Sequence, residues 1–125
     1  MIAVESSALI AYLSGSSSSA AVEATDVALR ERQVCLPPVV LSELFSDPRL
    51  PARVGSLLLE LPLLTVLDGY WERAGRLRAK VLTARRRARL ADTLSAQSCL
   101  DHGVPLIALD RDFRRFAAVS SLELI

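Results

Sequence analysis

The sequence predicts one α/β domain, a parallel sheet of about five strands covered by helices on both faces. Three observations carry this expectation. Short apolar runs alternate with helical patterns along the whole chain. At 125 residues the chain has the length of one domain, 1–125, and at 51% hydrophobic it can fill a core on two sides of a sheet. Turn-forming Gly, Pro, Ser and Asp fall between the runs and rarely inside them.

The elements follow in order. Ile2, Ala3 and Val4 form a first buried strand, and Ser6 and Ser7 stand where they cap the helix that begins at Ala8. Ser14 and Gly15 stop that helix, residues 16–19 form a serine loop, and 20–32 is amphipathic. Val34, Cys35 and Leu36 make a second strand, Pro37 and Pro38 follow, and 39–45 is helical until Asp47-Pro48. A helix covers 50–60 and a third strand 63–67. Asp68 then caps a long helix over 70–87, with Tyr70 and Trp71 packed on the sheet. A helix over 90–102 ends at Gly103, where a left-handed residue is cheap. Residues 105–109 form a fourth strand and 121–124 a fifth.

Bulk properties exclude more than they assign. The net charge of +1 carries no argument for a nucleic-acid or membrane partner, so only local charge can. Cys35 and Cys99 lie far apart in apolar settings, as buried free thiols do, in keeping with a reducing cytoplasm. The first residues are apolar but carry Glu5 and no basic leader, and the run 57–67 is broken by Glu60 and Pro62. A soluble cytoplasmic protein is expected.

The acids carry the chemistry. Glu5 follows the first strand, Asp110 and Asp112 follow the fourth, Glu43 lies in the helix after the second, and Asp92 opens the helix before the fourth. Parallel sheets bind ligands beyond the carboxyl ends of their strands, so the fold brings these five to one rim. Carboxylates crowded in a cleft repel unless a cation lies among them. An all-oxygen donor set suits Mg²⁺ or Mn²⁺, whereas one histidine, His102, and two scattered cysteines do not make a zinc site. Taken singly, Asp92 reads equally as a helix cap, and Asp110 and Asp112 as turn residues.

The stretches VESSALIAYL, VVLSELF and LADTLSAQSCLDHGVPLIALDRDF resemble the PIN-domain family, and within it the VapC-type toxins of bacterial and archaeal toxin–antitoxin pairs. The resemblance implies a single PIN-like domain and divalent-metal hydrolysis of RNA phosphodiesters. It implies Glu5, Glu43, Asp92 and Asp110 as the catalytic acids, and Glu5, Asp92, Asp110 and Asp112 as holders of Mg²⁺ or Mn²⁺. Ser6, Ser7 and Thr93 are then supporting hydroxyls. It further implies an RNA substrate, a small DNA-binding antitoxin as partner, and a homodimer. Family members usually carry aspartate where Glu5 stands. The added methylene pushes a carboxylate outward by roughly an ångström, so a catalytically impaired or silent PIN-fold protein that binds RNA or protein is the alternative.

RNA beside an acidic hole needs flanking positive charge. Eight basic residues lie between Arg73 and Arg89 with no acid among them, including Arg85, Arg86 and Arg87. Arg111, Arg114 and Arg115 form a second cluster directly after Asp110. Both read either as solvated faces or as phosphate contacts. His102 reads as a helix-end residue. The apolar stretches 39–45 and 50–61 read as docking surface, core or dimer contact. A phosphorylatable receiver domain is set aside, because Glu5 has no acidic neighbour and Lys80 sits mid-helix.

Overall fold

The computed structural model describes residues 1–15 and 19–125, so the expected serine loop lies largely outside the described residues. Its elements are β1 (Ile2–Val4), α1 (Ser6–Ser14), α2 (Ala20–Arg30), β2 (Val34–Cys35), α3 (Pro38–Phe45), α4 (Ala52–Glu60), α5 (Tyr70–Thr83), α6 (Leu90–His102), β3 (Leu106–Ile107) and α7 (Phe113–Ala117). The sheet is parallel in the order β2-β1-β3, with Ala3 level with both Cys35 and Leu106. The expected third and fifth strands are reduced to single parallel bridges, Leu36 with Leu63 and Leu106 with Leu124, one at each edge. Beyond Leu63 only Leu64 is buried, while Val66 and Leu67 are exposed, so the chain leaves the sheet where it has nothing left to bury.

The two-residue side-chain period sorts the core into two layers. Ala3, Cys35 and Leu106 point to one face, against Leu77 and Val81 of α5, Ala96 and Cys99 of α6, and Phe113 and Phe116 of α7. Val4, Val34, Leu36 and Ile107 point to the other, against Leu9 of α1, Ala28 of α2, Val40 and Leu44 of α3 and Leu58 of α4. The expected cover on both faces is therefore present. Burying each large aliphatic side chain here is worth about 1.5–3 kcal/mol, which is what fixes strands only two or three residues long.

Four local expectations are corrected. The cap of α1 is Glu5, whose carboxylate accepts the Ser7 N–H at 2.9 Å, while Ser6 and Ser7 lie inside the helix. Asp68 does not cap α5. Gly69 does, at φ 81°, and the Asp68 carbonyl accepts from Arg73 at 2.7 Å. A Cβ on Gly69 would stand 2.5 Å from Nη1 of Arg73, the movable end of a long side chain, so it is the positive φ that reserves this turn for glycine. The helix ends at Thr83, not at Arg87, because the chain turns through Arg85 at φ 59°. Trp71 is 67% exposed and only Tyr70 packs inward, donating from its hydroxyl to the Leu94 carbonyl at 2.8 Å. Gly103 does end α6 in the left-handed conformation, at φ 61°.

Candidate metal centre

The carboxyl ends of β1 and β3 lie side by side, and each delivers acids to the same rim. Glu5 is the first residue after β1. Asp110 stands three residues beyond Ile107, the last residue of β3, and Asp112 precedes α7. Helices supply the remaining two. α6 packs against α3, so Asp92 in the first turn of α6 and Glu43 on α3 feel each other's charge. One carboxylate oxygen each from Asp92, Asp110 and Asp112 lies within 4.8 Å of the others. Opposite oxygens around Mg²⁺ at its usual ~2.1 Å bond length are ~4.2 Å apart, so a small inward shift closes this group on one ion.

The electrostatics show what the crowding does to Asp92 and Glu5. Asp92 is 8% exposed, and its pKa is raised to about 6. Burial is the largest cause, followed by the charges of Asp110, Glu43 and Asp112, against which Arg89 pulls the other way. Asp92 also sits in the first turn of a helix, where the macrodipole favours an anion by about 0.3–1 kcal/mol. Desolvation and repulsion outweigh that. Glu5, 4% exposed, has its pKa raised by burial most of all, offset by bonds from Ser7 and increased by Asp92 and Glu43.

The hydroxyls divide sharply. Ser7 Oγ donates to Glu5 Oε2 and accepts the N–H groups of Leu109 at 3.2 Å and Asp110 at 3.1 Å, tying the ends of β1 and β3 together. Ser6 donates to Glu43 Oε1 at 2.7 Å. Thr93 instead donates to the carbonyl of Arg89 at 2.8 Å, so its proton serves the backbone of its own helix. Asp110 Oδ1 accepts the Asp112 N–H at 2.9 Å, in the manner of an Asx turn. Ser95 Oγ, three residues on from Asp92, is buried without a hydrogen-bond partner.

Of the acids singled out in the sequence, Asp92, Asp110 and Asp112 come together, whereas Glu5 and Glu43 flank them and are each held by a serine of α1. The donor set is oxygen throughout, which suits Mg²⁺ or Mn²⁺. His102 is engaged elsewhere, 2.8 Å from the Thr65 carbonyl, and both cysteines are buried free thiols, with burial pushing Cys99 up to about 12. Arg85, Arg86, Arg87, Arg111 and Arg114 are exposed, and Arg115 reaches Asp112 at 3.2 Å. Arg73, Arg76 and Arg78 of the basic run are taken by Asp101, Glu72 and the Ala88 carbonyl. Arg89 was missed as a contributor to the site. Its place three residues before Asp92 was the available signal.

The family model of the PIN domain matches residues 2–119. The chain belongs to the PIN-domain family. This PIN domain is also similar in structure to the crystal structure of a member of the VapBC family of toxin–antitoxin systems, VapBC-5, from Mycobacterium tuberculosis. The TM-score is 0.68 at 21% identity, over 99% of this chain and 96% of that one, a likeness of fold. Among curated proteins no significant match is found. Among the described residues, no helix is long and apolar enough to cross a membrane.

Proposed function

We propose that this PIN domain is a divalent-metal-dependent endoribonuclease, the toxin member of a VapBC-type pair acting in the cytoplasm. The observation that carries the reading is the three-aspartate group of Asp92, Asp110 and Asp112 on the strand-end rim of a PIN fold. Those three would hold Mg²⁺ or Mn²⁺, with Glu5 beside them. When bound, such an ion polarises a phosphoryl oxygen and acidifies the attacking water. Glu43, whose Oε1 is held by Ser6, would orient that water or take its proton through its second oxygen. Arg111 and Arg114, with Arg85, Arg86 and Arg87, are exposed to take phosphates along the strand. Cleavage leaves 5′-phosphate and 3′-hydroxyl ends.

A small DNA-binding antitoxin is the proposed partner, supported by the toxin–antitoxin nature of the structural neighbour. A homodimer is proposed on family grounds alone. The assay is Mn²⁺- or Mg²⁺-dependent cleavage of total RNA. Asp110→Asn should reduce cleavage at least 100-fold, and undiminished cleavage by that variant would end the assignment. One observation favours a second reading, a silent PIN fold that only binds. Glu5 turns its carboxylate back to cap α1 and lies outside the three-aspartate group. If the chain as it stands cleaves nothing and Glu5→Asp confers metal-dependent cleavage, the silent reading holds for the sequence with Glu5.

A further inference from the structure

Among the described residues, one ion pair reaches the three-aspartate group. Arg115, the third residue of α7, places Nη2 3.2 Å from Asp112 Oδ1. Its Nη1 donates to the Arg87 carbonyl at 3.2 Å, in the turn between α5 and α6. The remaining ion pairs join Arg30 to Asp26, Arg73 to Asp101 and Arg76 to Glu72, none of them acids of the group. Arg115 thus gives the crowded carboxylates a positive charge, and gives it to one member only.

We infer that Arg115 is the resident counter-charge of this centre, a guanidinium that holds Asp112 while no metal is bound and yields it when a divalent ion enters. The inference rests on the proposed reading that the three aspartates take such an ion. Two features make the exchange easy. The Arg115 and Asp112 side chains are 28% and 35% exposed, so their attraction is partly screened by water. The other arm of the guanidinium is anchored on the Arg87 carbonyl, so the freed arm stays at the rim of the site. There it meets the phosphodiester of the RNA, for which a planar fork of donors is the fitting partner. Proximity sets the sign of the effect. A fixed positive charge within a few ångströms of a ligand carboxylate repels an incoming cation and occupies one of its oxygens.

The test is direct titration of the full chain with Mn²⁺, free ion being read by electron paramagnetic resonance at low ionic strength. Arg115→Ala and Arg115→Gln should both bind Mn²⁺ about tenfold more tightly than the natural sequence. Arg115→Lys, which keeps the charge, should stay near it. Circular dichroism verifies that each variant is folded, and Arg115→Gln keeps a hydrogen-bonding arm should the alanine variant be unstable. Equal or weaker Mn²⁺ affinity in both neutral variants overturns the inference and leaves the metal reading standing, since an orienting role for Arg115 requires a loss. Absence of Mn²⁺ binding in every form, the natural sequence included, removes the metal reading itself and this inference with it.

Discussion

The two halves of the acidic rim are built on opposite principles. On the α1 side, each glutamate is held by a hydroxyl, Glu5 by Ser7 and Glu43 by Ser6. On the α6 and β3 side, Asp92, Asp110 and Asp112 crowd together, with a hydrogen bond from the Asp112 N–H to Asp110 and an ion pair from Arg115 to Asp112. The glutamate half is satisfied by the protein. The aspartate half gathers oxygens close enough for one cation to bridge. Pre-arrangement and crowded charge are thus separated in space, and only the second offers a cation a site.

The largest expected effect tests the crowded half. With its pKa raised from 3.8 to about 6, Asp92 binds a proton more tightly in the folded chain than in the unfolded one. Its contribution to stability is therefore full below about pH 4 and lost as pH rises through about 6, on the order of 2 kcal/mol. In metal-free buffer the melting temperature should fall across that interval, and Asp92→Asn should flatten the fall. Mn²⁺ affinity should rise over the same interval as the proton leaves. A melting temperature independent of pH between 4 and 7 in both proteins would show that the crowding leaves Asp92 unshifted.

An intermediate effect tests the join between the halves. Ser7→Ala leaves the N–H groups of Leu109 and Asp110 without their acceptor and leaves the Glu5 carboxylate with only the backbone N–H of residue 7. A loss of about 1–2 kcal/mol in urea unfolding is expected, together with several-fold weaker Mn²⁺ binding, and Ser7→Thr should recover most of both. Unchanged metal affinity would mean that the two halves are independent. The smallest effect belongs to Ser6. Ser6→Ala removes one bond to a half-buried Glu43 and should cost about 0.5–1 kcal/mol, with RNA cleavage reduced by no more than about threefold. A larger loss in a cleavage assay would move Glu43 from the satisfied half into the reacting one.

Much of this was legible beforehand, and the reasons differ by residue. The alternation of short apolar runs with helical patterns gave the parallel sheet, and Gly103 marked the end of α6 because few other residues take φ 61° cheaply. Asp92, Asp110 and Asp112 were legible because each stands at a fixed step from a strand or helix end. Contacts between distant segments were not. The run from Arg73 to Arg89 shows no acid in sequence, yet Arg73 meets Asp101 of α6 at 2.7 Å, because α5 and α6 pack together. Ser6 and Ser7 were expected to cap α1, in line with the preference for short polar side chains at that position, yet Glu5 does so. Here the neighbouring Ser7 offers both its N–H and its hydroxyl to one carboxylate oxygen, which compensates for the extra methylene. Strands of 63–67 and 121–124 were overestimated because hydropathy cannot say where an edge segment stops burying its side chains.

The Ser7 hydroxyl also sets a timetable. It binds the backbone of Asp110, 103 positions away, and β1 sits between β2 and β3 at the centre of the sheet. During synthesis β1 therefore waits through five helices and β2 before β3 and the Asp110–Asp112 turn follow α6 and arrive beside it. Such long-range pairing is slow and comes late. The nascent chain consequently has no complete acidic rim while it is being made, and any chain cut short before β3 lacks two of the three aspartates.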